Sequence, residues 1–369
     1  MRRYLEAQIL KDLDKKMVFL GGPRQVGKTT LARSLPSGEP GYLNWDVPAH
    51  RERILRRELP ASELIVFDEL HKYRQWRGFL KGLYDGDTAA RRVLVTGSAR
   101  LDLYRYGGDS LQGRYHYLRL FPLSVAELGL SSSSDLETLL TLGGFPEPFL
   151  SGSKTEARRW SREYRTRLVR DEVTSVEQTR ELDHLERLML RLPDLVSSPL
   201  SVNALREDLQ VSHKAVSSWL DIFERLYSIV RINPFGGPRI RAVKKERKHY
   251  HFDWTLVTAP GPRFENLVAI HLVKYAAFRQ DTEGFDMEVR YFRDVDGREV
   301  DFVLCQDQQP ILFLECKLGD DDLSGGLRYL HAKVPQVPAF QIHLHGVKDY
   351  LTPDGIRVCP ALTLLRTWV

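Results

Sequence analysis

The sequence predicts an α/β protein whose first domain is a parallel sheet built to hold a phosphate chain, followed by a helical region and a second, smaller α/β domain. Three observations predict it. Met17–Arg33 reads strand, glycine loop, helix; Leu64–Phe67 is an uninterrupted apolar run ending in Asp68-Glu69; and late in the chain two successive strand-like runs carry Asp301 and Glu315-Cys316-Lys317. Continuous apolar runs of this length suit strands buried on both faces of a parallel sheet.

The first stretch carries the most specific signal. After the apolar run Met17–Leu20 comes Gly22-Pro23-Arg24-Gln25-Val26-Gly27-Lys28-Thr29, a complete G-x-x-x-x-G-K-[ST] phosphate loop, and then helix-forming Thr30-Leu31-Ala32-Arg33. The glycines let backbone N–H groups turn inward around phosphate oxygens, and the helix start adds its positive end. Lys28 would reach the β- and γ-phosphates, and the Thr29 hydroxyl would complete a Mg²⁺ shell.

Composition sets the bounds. A chain of 369 residues exceeds one ordinary core and predicts several domains. Apolar content of 42% with 28% charge is that of a soluble globular protein, and no run is long enough to cross a bilayer. The closely charged, amphipathic N-terminus does not read as a secretory signal. Cys305, Cys316 and Cys359 stand far apart, which excludes a disulfide framework or zinc ribbon and predicts a cytoplasmic setting. A net charge of +5 and a pI near 9.0 fit an anionic partner without identifying one.

Taken in order, Leu5, Ile9, Leu10 and Leu13 mark one face of a helix leading into the phosphate-loop strand, and Gly41–Trp45 reads as a second strand. Asp68, at the end of the apolar run, would hold Mg²⁺ through water, while Glu69 would polarise the attacking water: a Walker B pair. A further strand at Val93–Val95 ends in Thr96-Gly97-Ser98, and Thr96 or Ser98 would sense the γ-phosphate. Arg114 in Gly113-Arg114-Tyr115 is a candidate arginine finger, with Arg100 and Arg119 competing for the role.

These motifs, with Leu120–Leu128, resemble a prokaryotic branch of AAA+-type P-loop ATPases, most densely from Val18 to Leu128. The resemblance implies ATP and Mg²⁺ as cofactors, an ATP-hydrolysing core, a helical lid and a C-terminal region of undefined function. The turn Gly143-Gly144-Phe145-Pro146-Glu147 is similar to one found after the core in that branch. Asp253 is read as matching the aspartate that closes a strand there, although Tyr250-His251-Phe252 departs from the expected pattern.

The arginine-dense helix from Glu156 to Arg180 reads as a solvated lid face, salt-bridged to Glu156, Glu163, Asp171 and Glu172, with a nucleic-acid stripe as the alternative. Residues 200–232 read as a helix-turn-helix with a wing: Val216, Leu220 and Phe223 face inward, and Lys214, Ser217, Ser218 and Trp219 are candidate groove-facing side chains. The basic run Arg239–Lys248 is a candidate phosphate-contacting hairpin.

At the C-terminus, Asp301 and Glu315-x-Lys317 on adjacent strands resemble the PD-(D/E)XK nuclease constellation, with Glu265 as an additional helix acid. The resemblance implies a second metal site, in which Asp301 and Glu315 supply hard oxygen ligands and Lys317 steadies charge. The expected organisation is therefore an AAA+-type parallel-sheet core at 1–128, a helical lid at 129–195, a winged helix at 196–258 and a restriction-endonuclease-like α/β domain at 259–369. The function expected is an ATP-driven motor on DNA, branched DNA included, working as a homo-oligomeric ring without a membrane partner. An ATP-gated nuclease and a nucleotide-switched docking factor are the alternatives.

Overall fold

Parallel pairing places the C-terminal ends of five strands along one edge of the first sheet, and that edge carries the phosphate loop, Asp68, Glu69 and Thr96. The computed structural model describes residues 2–86, 92–97, 111–169, 182–236 and 246–369. They fall into two compact units, 1–122 with 281–283, and 123–280 with 284–369.

In the first unit β1 (Met17–Gly21), β2 (Tyr42–Asn44), β3 (Leu64–Asp68), β4 (Arg92–Thr96) and β5 (Tyr115–Arg119) form a sheet of order β2-β3-β4-β1-β5. The pairs are parallel throughout, with Phe67 beside Val95, Asp68 beside Thr96 and Leu20 beside Thr96. β1 and β3 are buried along their whole length, as their unbroken apolar sequence requires. One core cluster brings Phe19, Phe67, Val95 and Leu43 against Trp76 and Leu80 of the helix Trp76–Asp85. The leading helix, Glu6–Leu13, buries Ile9 and Leu13.

The second unit begins with helices Val125–Leu128, Ser133–Leu142, Pro146–Ser151, Lys154–Arg167 and Leu182–Arg191. Gly143 stands at φ +86°, and a Cβ there would come within 3.0 Å of the Thr255 methyl, so the tight Gly-Gly turn needs glycine. Helices Val202–Leu209 and His213–Arg225 follow, and the side chains of Ser201 and Ser212 cap them by accepting from Ala204 N and Ala215 N. An eight-stranded mixed sheet then runs β12-β13-β11-β10-β9-β8-β6-β7. Its strands are β6 (Ile229–Pro234), β7 (Lys248–His251), β8 (Met287–Arg293), β9 (Glu299–Gln306), β10 (Gln309–Lys317), β11 (Ala339–His343), β12 (Tyr350–Leu351) and β13 (Ile356–Pro360).

β6 and β7 form an antiparallel hairpin behind the two helices, and β6 also pairs parallel with β8. The hairpin expected as a wing therefore continues into the C-terminal sheet. The long helix Pro260–Glu283, almost wholly buried over its middle turns, brings Glu265 to this unit's carboxylate cluster. Among the described residues no helix is long and apolar enough to cross a membrane.

Candidate functional site: a phosphate loop and its acid edge

The phosphate loop is fixed by close backbone approaches. At Gly22, φ is +120°, and a Cβ would lie 2.2 Å from the carbonyl oxygen of Leu120, so no other residue fits. Gly27, at φ +94°, turns the chain into the helix Lys28–Ser34. Arg3, buried beneath the loop, donates from Nη1 to Val26 O (2.6 Å) and from Nη2 to Phe121 O (2.5 Å). Lys28 is buried, and its Nζ donates to the carbonyls of Gly22 (3.0 Å) and Pro23 (2.5 Å), across the mouth of the loop.

Next to the loop lies Asp68. Thr29 Oγ1 donates to its Oδ2 (2.8 Å) and Thr96 Oγ1 to its Oδ1 (2.5 Å). Tyr42 OH also donates to Oδ2 (2.7 Å), and Asn44 Nδ2 bridges Tyr42 OH (3.0 Å) and Asp68 Oδ2 (3.4 Å). Parallel register makes this possible: Asn44 pairs with Asp68 and Asp68 with Thr96, so three neighbouring strands end at one point. Burial and the hydrogen bond to Asp68 push the Tyr42 phenol well above its ordinary range, keeping it a neutral donor.

Glu69 follows in the left-handed region at φ 57°, with its N–H on Thr96 O (3.0 Å). Its carboxylate is ion-paired with Lys72 at 3.3 Å. Burial raises its pKa, an effect opposed chiefly by the Lys72 charge. The hard-oxygen pair of Thr29 hydroxyl and Asp68 carboxylate, 2.8 Å apart at the phosphate-loop lysine, fits a Mg²⁺–nucleotide complex.

In the second unit the motif residues do assemble, but around a lysine. Asp301 N donates to Glu315 Oε2 (3.3 Å), Cys316 N to Asp301 Oδ2 (2.9 Å) and Lys317 Nζ to Glu315 Oε1 (2.9 Å). Lys248, fully buried, places Nζ 2.5 Å from Glu299 Oε1, 3.4 Å from Glu265 Oε1 and 3.9 Å from Asp301 Oδ1, and Tyr250 OH donates to the same Glu265 oxygen (2.6 Å). Burial raises the Asp301 and Glu315 carboxyls, and the three acids around Lys248 outweigh burial and hold its ammonium charged. The ammonium lies where the three acids would share a cation. Among the described residues no group of three His, Cys, Asp or Glu side chains is placed to hold a metal ion. Glu265, Asp301 and Glu315 with Lys317, the residues expected to form a second metal site, thus lie in one cluster whose cation is the Lys248 ammonium.

Residues 14–129 match a family model described as an AAA domain. The N-terminal third is thus similar to AAA domains and carries the phosphate loop. Downstream of it, residues 133–261 and 260–364 match two models described as domains of unknown function, DUF8612 and DUF4143. The uncharacterized proteins Rv2008c of Mycobacterium tuberculosis and Mb2031c of Mycobacterium bovis are each 26% identical over 261 residues, 69% of this chain but only 58% of theirs. Among solved structures, a Thermotoga maritima RuvB variant matches at 17% identity and TM-score 0.30, over 65% of this chain and 91% of that one. The Aeropyrum pernix ORC1 protein in complex with DNA matches at 14% and 0.33, over 73% and 93%. Scores this low define no shared fold.

Within the AAA-type domain, Lys28, Thr29, Asp68, Glu69 and Thr96 converge, while Thr30 and Gln25 lie exposed at the loop's rim. Ser98 and Arg100 lie outside the described residues. Arg114 does not join the site. Its carbonyl accepts from Met17 N at the start of β1, so it sits at the sheet edge opposite the loop, about 16 Å of strand away. Its guanidinium there pairs with Asp85 (2.8 and 3.0 Å), so Arg114 cannot serve its own chain's phosphate loop. Three side chains at this site escaped sequence reasoning: Arg3, Tyr42 and Asn44. A strand alternating Tyr42-Leu43-Asn44 just ahead of the Walker B strand was the only available signal for the last two. In the second unit two further expectations are corrected. Trp219 is buried and stacked near His184 rather than facing a groove, and Lys248 points inward rather than toward phosphate. Residues 239–245 of the basic run lie outside the described set.

Proposed function

We propose that this chain is an ATP-hydrolysing AAA+-type motor that binds and rearranges DNA. The observation that carries the catalytic half is the convergence of Thr29, Asp68, Thr96 and Glu69 on the phosphate-loop edge. Lys28 would exchange its two loop carbonyls for phosphate oxygens, and Thr29 with Asp68 would hold Mg²⁺. The metal supplies neutralisation of the charge that develops on the phosphoryl group. Glu69, with a raised pKa and a backbone N–H tied to the same strand end, would orient and deprotonate the attacking water. Thr96 links the state of Asp68 to β4, a route by which hydrolysis is read by the sheet.

The DNA half is supported by the two capped helices joined by a short turn and backed by a hairpin, a winged-helix arrangement in which Lys214 is exposed. The net charge of +5 adds to it. The C-terminal sheet with Asp301, Glu315 and Lys317 is read as a nuclease-like fold retained for binding, because Lys248 already neutralises its acids. The domain organisation proposed is a core at 1–128, lid at 129–195, winged helix at 196–258 and nuclease-like domain at 259–369. Since Arg114 cannot reach its own phosphate loop, an arginine finger at this residue requires a neighbouring copy, and the working form is a homo-oligomeric ring. A cytoplasmic location and branched DNA as the preferred form belong to the same proposal.

The test is steady-state ATP hydrolysis without DNA, with linear duplex and with a four-way junction, using Glu69→Gln as the blank. Stimulation by the junction above the duplex is expected. A rate indifferent to every DNA would overturn the motor reading and favour a nucleotide-switched docking protein. DNA cleavage that requires Mg²⁺ and disappears in Asp301→Ala would instead establish the ATP-gated nuclease.

A further inference from the structure

The helix Lys154–Arg167 divides its cations into two sets. Arg159 and Arg167 are neutralised on the helix itself, by Glu156 (3.1 Å) and Glu163 (2.9 Å). Lys154, Arg158, Arg162 and Arg165, spaced by four, four and three residues, form another stripe and line one wall of a cleft of about 440 Å³. Arg263, from the first turn of the helix Pro260–Glu283, completes it, its Nε held by Val257 O at 2.5 Å. Thr141, Ser161, Thr255 and Thr258 supply hydroxyls, and no carboxylate is among the lining residues.

Asp253 is buried behind this floor and accepts from Ser161 Oγ (2.5 Å) and Thr255 Oγ1 (2.6 Å). Among the described residues none of the five cations reaches a carboxylate within 4 Å. Like charges at i and i+4 repel, and Lys154 stands at the positive end of its own helix, so the stripe works against the helix that carries it. An anionic ligand removes that conflict.

We propose that this cleft is a binding site for the phosphodiester backbone of a nucleic-acid strand. The class follows from the shape of the charge. The four helix cations lie in a line about 16 Å long rather than converging on one point, a length that spans about five phosphates of one strand at ~3.4 Å each. A small polyphosphate would need cations gathered around a single centre. The inference rests on the DNA reading above and adds to it a site apart from the helix-turn-helix.

The experiment is fluorescence anisotropy of a labelled DNA duplex titrated with the full chain over a series of salt concentrations. Three proteins are compared: wild type, Arg158→Ala/Arg162→Ala and Arg159→Ala/Arg167→Ala. Both double variants lose the same formal charge, all four side chains are exposed, and none belongs to the phosphate-loop site. The first variant is expected to bind about tenfold or more weakly, with its log–log salt slope reduced by about 2 units, while the second stays within about twofold of wild type. Equal weakening in both variants, or none in the first, overturns the cleft while leaving DNA binding standing. A wild-type chain that binds no DNA removes the DNA reading itself, and the cleft assignment with it.

Discussion

Asp68 receives four donors, and they do not weigh equally. Thr29 shares the oxygen that Tyr42 and Asn44 also occupy, whereas among the described residues Thr96 alone donates from its side chain to Oδ1. A hydrogen bond to a charged group contributes roughly 1.5–3 kcal/mol. Thr96→Val keeps the shape of the strand end and removes that bond, so ATP turnover should fall about 10- to 100-fold, at about 1.4 kcal/mol per factor of ten. Nucleotide affinity, measured with a fluorescent analogue, should change far less, because the loop donors and Lys28 are untouched. Loss of affinity in step with rate would show that Thr96 merely holds the site together. The motif residues of this edge are legible in sequence because each sits at a fixed offset from an apolar run. Tyr42 and Asn44 are not, because their role arises only when β2 aligns with β3 and brings Asn44 level with Asp68.

At the level of elements, the hairpin of β6 and β7 shows where composition misleads. Arg239–Lys248 is rich in charge, and charge alone gives no direction. Pairing of Lys248 with Ile232, at the end of the hairpin, turns its side chain toward Glu265, Glu299 and Asp301. Trp219, by contrast, was within reach of periodicity: it falls three residues after Val216 and four before Phe223, on the stripe that is buried. Removing one partner of a buried ionic cluster typically costs about 3–5 kcal/mol, since the remaining charges stay desolvated. Lys248→Met should therefore lower stability by about that amount in denaturant unfolding. Adding Glu299→Gln should restore part of it, because one of the uncompensated acids is then gone. If Lys248→Met is neutral, the ammonium does not hold this cluster together.

At the scale of the whole molecule, two compact units predict more than one unfolding transition, and different ligands should move them. The site proposed for the Mg²⁺–nucleotide complex is built wholly from residues 1–122, so at a hundred times its Kd the complex should stabilise that unit by about 2.7 kcal/mol. Protons should act on the other. His249 and His271 are buried in the second unit and held neutral, their pKa lowered to about 4, chiefly by burial. His271 is fixed in one tautomer: with Nε2 accepting from Val125 N (3.1 Å), its Nδ1 donates to Leu267 O (2.8 Å). A histidine whose folded pKa lies below its unfolded value of about 6.5 binds more protons unfolded than folded between the two. Its contribution is present above about pH 6.5 and is lost as pH falls toward 4, at about 1.4 kcal/mol per pH unit for each ring. Calorimetry should then show one transition raised by Mg²⁺–ATP and another to which these two rings contribute a loss as pH drops from 7 to 5, set against the raised carboxyls of Asp301 and Glu315, which act in the opposite sense. The nucleotide-sensitive transition should vanish as a separate response in Lys28→Ala. His271→Gln should remove one ring's share of the acid loss in the other and leave that of His249, since the amide can make the same two hydrogen bonds without titrating. A single transition that answers equally to nucleotide and acid would mean that the two units unfold as one cooperative body.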